Sequence, residues 1–294
     1  MIKLNAIPED YDPRNKILPK LSEHVSNIND FVLMTHSQSG FLCGTIKKFR
    51  PKKILEVGVA AGGSTAIILQ ALEDLGEPYE MHSTDITAKC PIIDHTKDTG
   101  FIATLAKDNN LFNPPPTASL SGEHKFHLGR YLPQVIDEIG GDIDFVILDT
   151  VHYLPGEILD FVAMLPYLKD GAVVVLHDVA DNHYERPAWT NAYCTGVLFS
   201  AVTAEKFLNF IPTGCGNTFF RYPNIAAFQV SEQTRANIDQ VFLSLVINWN
   251  YVPQPGELQL YRAHYQRHYP KELVDIFVET IRMNLCNMIM ASYV

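Results

Sequence analysis

Long apolar runs, basic stripes and paired cysteines are all missing from this chain of 294 residues, and each absence removes a class of function. No apolar stretch approaches the ~20 residues needed to span a bilayer. The N-terminus carries Pro8, Glu9, Asp10 and Asp12 where a secretion signal would have its apolar centre. The five cysteines, Cys43, Cys90, Cys194, Cys215 and Cys286, are scattered, odd in number and free of any Cys-x-x-Cys pair. That spacing offers no zinc site and fits a reducing cytoplasm. A net charge of −10 argues against a nucleic-acid surface, which would show a basic stripe. The densest basic cluster, Lys47, Lys48, Arg50, Lys52 and Lys53, reads as a solvated helix end and turn. Repeats and low-complexity segments are absent too. The expectation is a cytoplasmic protein that inserts into no membrane and binds no nucleic acid.

What the chain does hold is 47% apolar residues against 19% charged, enough for a sizeable core. Residues 1–30 are polar and proline-marked and read as an extended arm entering a helix near 21–32. A second helix is expected over 41–49, ended by Pro51. Strand-like and helix-like stretches then alternate. Strands are expected at 54–57, 79–84, 125–128, 143–148 and 172–176, and helices at 66–75, 99–109, 132–139 and 155–168, the last stopped by Lys169-Asp170-Gly171. This alternation predicts a doubly wound, mostly parallel α/β sheet with right-handed crossovers. After residue 180 the pattern changes to a polar, aromatic-rich loop over 181–192 and a helix over 193–202. Two strand-like runs at 206–211 and 224–230 follow without a crossover helix, which predicts an antiparallel pair closing one edge. Residues 232–294 are mostly amphipathic helix. The division expected is an arm and helix over 1–33, the main domain over 34–231 and a helical extension over 232–294. The apolar stripes of the extension would pack on its own sheet or on a second copy in a homo-oligomer.

The stretch Ile54–Thr65 runs from an apolar strand into glycine and alanine. Gly58, Gly62 and Gly63 allow a tight turn and close approach of a ligand, and Ser64 and Thr65 can cap the helix that follows. Strand, small-residue loop and helix N-terminus together make a nucleotide cradle. A dinucleotide loop would want glycine where Ala60 stands. Glu56, inside the end of the strand, is poorly suited to a pyrophosphate and well suited to a cationic ligand. S-adenosylmethionine is such a ligand, with a sulfonium and an amino group but no phosphate. Its ribose hydroxyls would be met by Asp85, at the end of the second strand and about 20 residues beyond the loop. Ile54–Thr65 followed by Asp85 resembles motif I and the ribose acid of the class I S-adenosylmethionine-dependent methyltransferases. The resemblance covers roughly residues 34–230 and implies a Rossmann-like, doubly wound, seven-stranded sheet with an antiparallel last strand, flanked by N- and C-terminal helical additions. It also implies Glu56 near the methionine moiety, Gly58 and Gly62 beneath the ligand, Ser64 near its carboxylate, and Gly129 and Arg130 at the adenine.

Asp149 and Asp178 end the fourth and fifth strands, neighbouring positions on the carboxyl edge where open α/β sheets bind ligands. With His152 and His177 close by they form a candidate hard-metal site. Oxygen ligands suit Mg²⁺ or Ca²⁺, and an imidazole ligand from His177 tilts the choice toward Mn²⁺ or Fe²⁺. Such a site suits methylation of a small-molecule hydroxyl acceptor, because a divalent cation lowers the hydroxyl's pKa and a histidine accepts its proton. His152, three residues beyond Asp149, stands where that base would be. The segments Leu148–Tyr153, Leu165–Gly171 and Val175–Val179 are similar to the metal-dependent sugar O-methyltransferases of macrolide biosynthesis (macrocin and mycinamicin type) and to the cephalosporin-hydroxylase-like and rhamnosyl methyltransferases. That resemblance implies Asp149 and Asp178 as Mg²⁺ ligands and His152 as base, and a sugar or glycosylated small molecule as acceptor. His177 departs from it, standing where those enzymes have a second carboxylate. Met34-Thr35-His36 resembles the lid of catechol O-methyltransferases, which implies Met34 at the cofactor. The alternatives are a metal-independent small-molecule N- or O-methyltransferase with His152 or His177 as base, and a non-catalytic assembly subunit that associates through 232–294. Asp181, Asn182, His183, Tyr184 and Trp189 would cover the acceptor or form a surface loop, and His264 and His268 read as solvated.

Overall fold

Apolar alternation along the strands decides which helices cover which face of the sheet. The computed structural model describes residues 1–8, 10–91, 94–112, 121–180, 192–209 and 224–291, without the side chains of 288–291. Its strands are β1 (Ile2–Leu4), β2 (Lys53–Val57), β3 (Glu80–Asp85), β4 (Glu123–Leu128), β5 (Ile143–Leu148), β6 (Leu168–His177), β7 (Glu205–Leu208) and β8 (Ile225–Gln229). They form one eight-stranded sheet in the order β1-β7-β8-β6-β5-β2-β3-β4. β2 to β6 are parallel, and β8 runs antiparallel to both β6 and β7. On β5, Val146 and Leu148 face one apolar core and Phe145 and Ile147 the other, the period-two split expected of a strand buried on both sides.

The face of Phe145 is covered by α1 (Arg14–Ser22), α2 (His36–Phe49), α3 (Gly63–Leu75) and α4 (Phe101–Asp108). The face of Leu148 is covered by α5 (Leu132–Ile139), α6 (Gly156–Met164) and α7 (Cys194–Ala201), and, after α8 (Glu232–Ala236), by α9 (Ile238–Ser244), α10 (Pro255–His268) and α11 (Lys271–Ala291). The doubly wound, Rossmann-like architecture is thus the expected one. Among the described residues no helix is long and apolar enough to cross a membrane.

Several local expectations change. The sheet has eight strands because the N-terminal arm adds β1 parallel to β7, with Ile2 opposite Lys206. The first helix starts earlier than expected, at Arg14, whose backbone N–H donates to Asp12 Oδ1 at 3.0 Å. α2 also starts earlier, at His36, because Thr35 and Gln38 form a reciprocal capping box, with Thr35 N to Gln38 Oε1 at 2.7 Å and Gln38 N to Thr35 Oγ1 at 3.3 Å. Lys169-Asp170-Gly171 stops no helix; it lies within β6, where the pairing to β5 shifts register between Ile143 and Phe145. His264 is not solvated: it is 1% exposed and its Nε2 lies 2.8 Å from the Ala163 carbonyl. The expected loop 181–192, up to residue 191, and the connection 213–222 lie outside the described residues.

Candidate functional site

The chain leaves β2 in one direction, to β3 and β4, and returns to place β5 and β6 on the other side. The carboxyl ends of β2 and β5 therefore meet at a topological switch point, where such sheets open a crevice. Val57 pairs with Leu148, so Gly58 and Asp149 are the first residues beyond the two strands. They are in close contact. A Cβ on Gly58, whose φ is +93°, would lie 1.7 Å from the Asp149 carbonyl oxygen. Glycine is required there by both dihedral and space.

Beyond Gly58 the loop is tied by Asp85. One carboxylate oxygen accepts from Val59 N at 3.0 Å and Ala60 N at 3.1 Å, the other from Thr87 N at 2.9 Å and Thr87 Oγ1 at 2.7 Å. Gly62, in left-handed conformation, is the N-cap of α3. Ser64 and Thr65, expected as caps, lie in the first turn instead and point their hydroxyls at Glu56. Thr65 Oγ1 donates to Glu56 Oε2 at 2.9 Å and Ser64 Oγ to Oε1 at 3.5 Å. Ser83, opposite Glu56 in the β2–β3 register, donates at 2.6 Å. Burial pushes the Glu56 carboxyl up to about 7 against the lowering effect of these hydroxyls.

A cavity of about 490 Å³ opens over the loop, within the ordinary size range of small-molecule sites. Of the residues expected at a cofactor, Met34, Gly58, Ser64, Asp85 and Arg130 line it. Glu56, Gly62 and Gly129 are not on its wall; Glu56 is 1% exposed and held beneath the loop. The guanidinium of Arg130 is engaged by Glu138 and the Gln134 carbonyl.

Asp149, His152 and Asp178 offer ligand atoms that all lie within 4.8 Å of one another. His152 Nε2 is 3.7 Å from Asp149 Oδ1 and 3.2 Å from Asp178 Oδ2. His177, expected as a ligand, is not in this trio. Its Nδ1 lies between the two carboxylates, 3.2 Å from Asp149 Oδ1 and 3.0 Å from Asp178 Oδ2, while its buried Nε2 has no hydrogen-bond partner among the described residues. His152 (φ 62°) and Asp178 (φ 59°) both sit in the left-handed region, which costs non-glycine residues of order 1–3 kcal/mol and gathers at functional sites.

Two further residues hold the cluster, and neither stands out in the sequence. Glu157, in the first turn of α6 and fully buried, accepts from His152 N at 2.5 Å and Thr150 Oγ1 at 3.0 Å. Its Oε1 also lies 3.5 Å from His152 Nδ1, so one carboxylate faces each nitrogen of the ring. Asn224, just before β8, donates from Nδ2 to Asp178 Oδ1 at 2.6 Å. Burial opposes charge on His152, but Glu157, Asp149 and Asp178 outweigh it and raise the imidazole to about 9. His177 is raised in the same way by Asp149 and Asp178 against burial, and Glu157 is lowered by His152 against its own burial.

The wall of the cavity also includes Tyr131, Asp160, Tyr251, Glu257 and Tyr261, the last two on α10. The helical extension thus supplies part of the wall, which its amphipathic pattern alone does not reveal.

Residues 55–179 match the family described as a methyltransferase domain. Solved structures that resemble the chain include an O-methyltransferase of Streptomyces achromogenes involved in tomaymycin synthesis, in complex with S-adenosylmethionine. It is 18% identical, with a TM-score of 0.45 over 77% of this chain and 92% of that one. Another is an O-methyltransferase of Bacillus cereus with bound S-adenosylhomocysteine, 16% identical, with a TM-score of 0.41 over 74% and 90%. A third is a methyltransferase of Podospora anserina bound to S-adenosylhomocysteine, 13% identical, with a TM-score of 0.45 over 76% and 89%. No curated protein matches the sequence.

Proposed function

We propose that the chain is a class I S-adenosylmethionine-dependent methyltransferase, a reading that the match of residues 55–179 to a methyltransferase domain supports, and that it methylates a hydroxyl of a sugar or glycosylated small molecule. The observation that carries this reading is the Asp149, His152 and Asp178 trio beside a cavity floored by the glycine loop. Met34, Gly58, Ser64 and Asp85 hold the cofactor. Glu56 serves it indirectly, fixing the loop and α3 through Thr65, Ser64 and Ser83.

The two carboxylates, Asp149 and Asp178, fit a divalent cation such as Mg²⁺, with His152 beside it as base rather than as ligand. A cation held by Asp149 and Asp178 would supply the charge that lowers the acceptor hydroxyl's pKa and offsets the carboxylate field at His152. The offset matters because an imidazole raised to about 9 keeps its proton at neutral pH and cannot serve as a base. Glu157 orients His152 through the Nδ1 side and leaves Nε2 to take the acceptor's proton. The acceptor oxygen then forms a bond to the methyl carbon as the carbon–sulfur bond breaks, and S-adenosylhomocysteine leaves. Alignment of these atoms supplies much of the acceleration. The sugar acceptor is supported by the resemblance of the segments around Asp149 and Asp178.

A metal-independent reading has one observation in its favour. The His177 imidazolium already lies against both aspartates and could supply positive charge there. Calorimetry with S-adenosylhomocysteine and NAD tests the cofactor: binding of the first alone is expected, and binding of NAD alone would end the methyltransferase reading. Transfer that survives EDTA would favour the metal-independent version.

A further inference from the structure

The loop that carries His152 is fastened from outside residues 55–179. His152 sits at φ 62°, a backbone conformation that a residue with a β-carbon keeps only where its surroundings impose it. Two bonds that do so lie on His152 itself: its N–H donates to Glu157 at 2.5 Å, and its carbonyl accepts from Cys194 N at 3.1 Å. A further pair lies two residues on. Leu154, buried in the core, donates its N–H to Asn250 Oδ1 at 2.9 Å, and its carbonyl accepts from Asn250 N at 3.1 Å. One asparagine thus pairs both backbone groups of one loop residue. Its Nδ2 donates to Tyr193 Oη at 3.3 Å, and Tyr193 precedes the cysteine whose N–H holds the His152 carbonyl. Asn250 is therefore tied to both segments that hold His152.

We infer that Asn250 is a positioning residue for His152, fixing through Leu154 and Tyr193 the direction of its imidazole, so that the helical extension belongs to the transfer machinery as well as to the core. This rests on the reading of His152 as base. Asn250 lies between α9 and α10, and its own place is set by α11. Trp249 N donates to Asn284 Oδ1 at 2.8 Å, the Trp249 indole to the Leu245 carbonyl at 2.8 Å, and Asn287 Nδ2 to Asn248 Oδ1 at 3.2 Å. An asparagine suits the position because one side chain supplies both an acceptor, used by Leu154, and a donor, used by Tyr193. Removing its oxygen would leave the N–H of buried Leu154 without that acceptor, and a buried donor left unpaired costs more than an average hydrogen bond gains. The loop would relax at the cost of the left-handed His152 backbone.

Amide hydrogen exchange, followed residue by residue by NMR in the full-length protein, in Asn250→Ala and in Asn250→Asp, tests this. The His152 amide is the reporter, since it donates to Glu157 and not to Asn250, and the amides of Val146 and Val174, paired across β5 and β6, are the reference. In Asn250→Ala the His152 amide should exchange at least about tenfold faster while the reference is unchanged. In Asn250→Asp, which keeps the acceptor for Leu154, it should stay within about threefold of the wild type. Should Asn250→Ala not fold, the wild type decides: the His152 and Leu154 amides should exchange within about threefold of each other, as one unit. Unchanged His152 exchange in Asn250→Ala, equal acceleration of reporter and reference, no rescue by Asp, or a wild-type Leu154 amide that exchanges well ahead of His152 would each overturn the inference and spare the base. Unchanged methyl transfer by His152→Ala would remove the base and this inference with it.

Discussion

His152 is held by a carboxylate on each nitrogen, and this double contact sets both its charge and its direction. Replacing it with Ala should lower turnover by about 10²–10⁴-fold, the usual contribution of a positioned base, with S-adenosylhomocysteine affinity unchanged by calorimetry. Glu157→Gln should lower kcat and move the pH–rate profile to lower pH, since the first carboxylate that raises His152 is gone. The charge also predicts a pH-dependent stability. In the chelator-treated protein His152 is raised from 6.5 to about 9. A group raised on folding stabilises fully below its unfolded pKa and loses that contribution as pH rises through the folded one. Thermal unfolding of the metal-free protein should therefore fall between pH 6.5 and 9; a flat profile there would contradict the assigned environment. Asp149, His152 and Asp178 could be read from the sequence because each follows a strand whose apolar run marks its end. Glu157 and Asn224 could not, because a carboxylate in a first helical turn looks like a dipole partner at the surface and an Asn before a strand looks like a turn.

Among the elements, the β2–α3 loop is where local rules are most demanding. Gly58→Ala would drive a Cβ into the Asp149 carbonyl at 1.7 Å in a backbone with φ +93°. The cost should be about 1–3 kcal/mol or more by urea unfolding, with loss of S-adenosylhomocysteine binding. Gly76 at the end of α3 has φ +65° and, among the described residues, nothing within 4 Å of its added Cβ. Gly76→Ala should cost only about 1–2 kcal/mol, the left-handed penalty alone, and leave binding intact. Equal effects at both glycines would mean that the contact with Asp149 is not rigid. The strand positions, the glycine loop and its link to Asp85 were legible because hydrophobic periodicity and small-residue breaks are local signals. The cap of α3 was misread because Ser64 and Thr65 have a stronger use than capping: they satisfy buried Glu56, whose surroundings depend on β3, a non-local partner.

On the scale of the molecule, residues 232–294 are less separable than their position in the chain implies. Phe242, Tyr265 and Phe277 are fully buried in the same apolar core as Val146, Leu148 and Val174 of the sheet. Ending the chain after residue 231 should expose that face and abolish a cooperative unfolding transition, as calorimetry would show. A truncated chain that unfolds cooperatively would instead restore the extension to an independent unit. Amphipathic helices announce that a face is buried but not against what, which is why both their own sheet and a second copy were open from sequence. α10 also brings Glu257 and Tyr261 to the cavity wall.

The central claim is that Asp149, His152 and Asp178 form a cation-dependent methyl-transfer site beside an S-adenosylmethionine cavity. Electron paramagnetic resonance of Mn²⁺ titrated into the S-adenosylhomocysteine-loaded protein tests it most directly. One bound Mn²⁺ per chain is expected in the wild type, and none in Asp149→Ala/Asp178→Ala, with S-adenosylhomocysteine bound equally by both. Free Mn²⁺ throughout in a protein that binds S-adenosylhomocysteine, or equal Mn²⁺ uptake by the double variant, would contradict it.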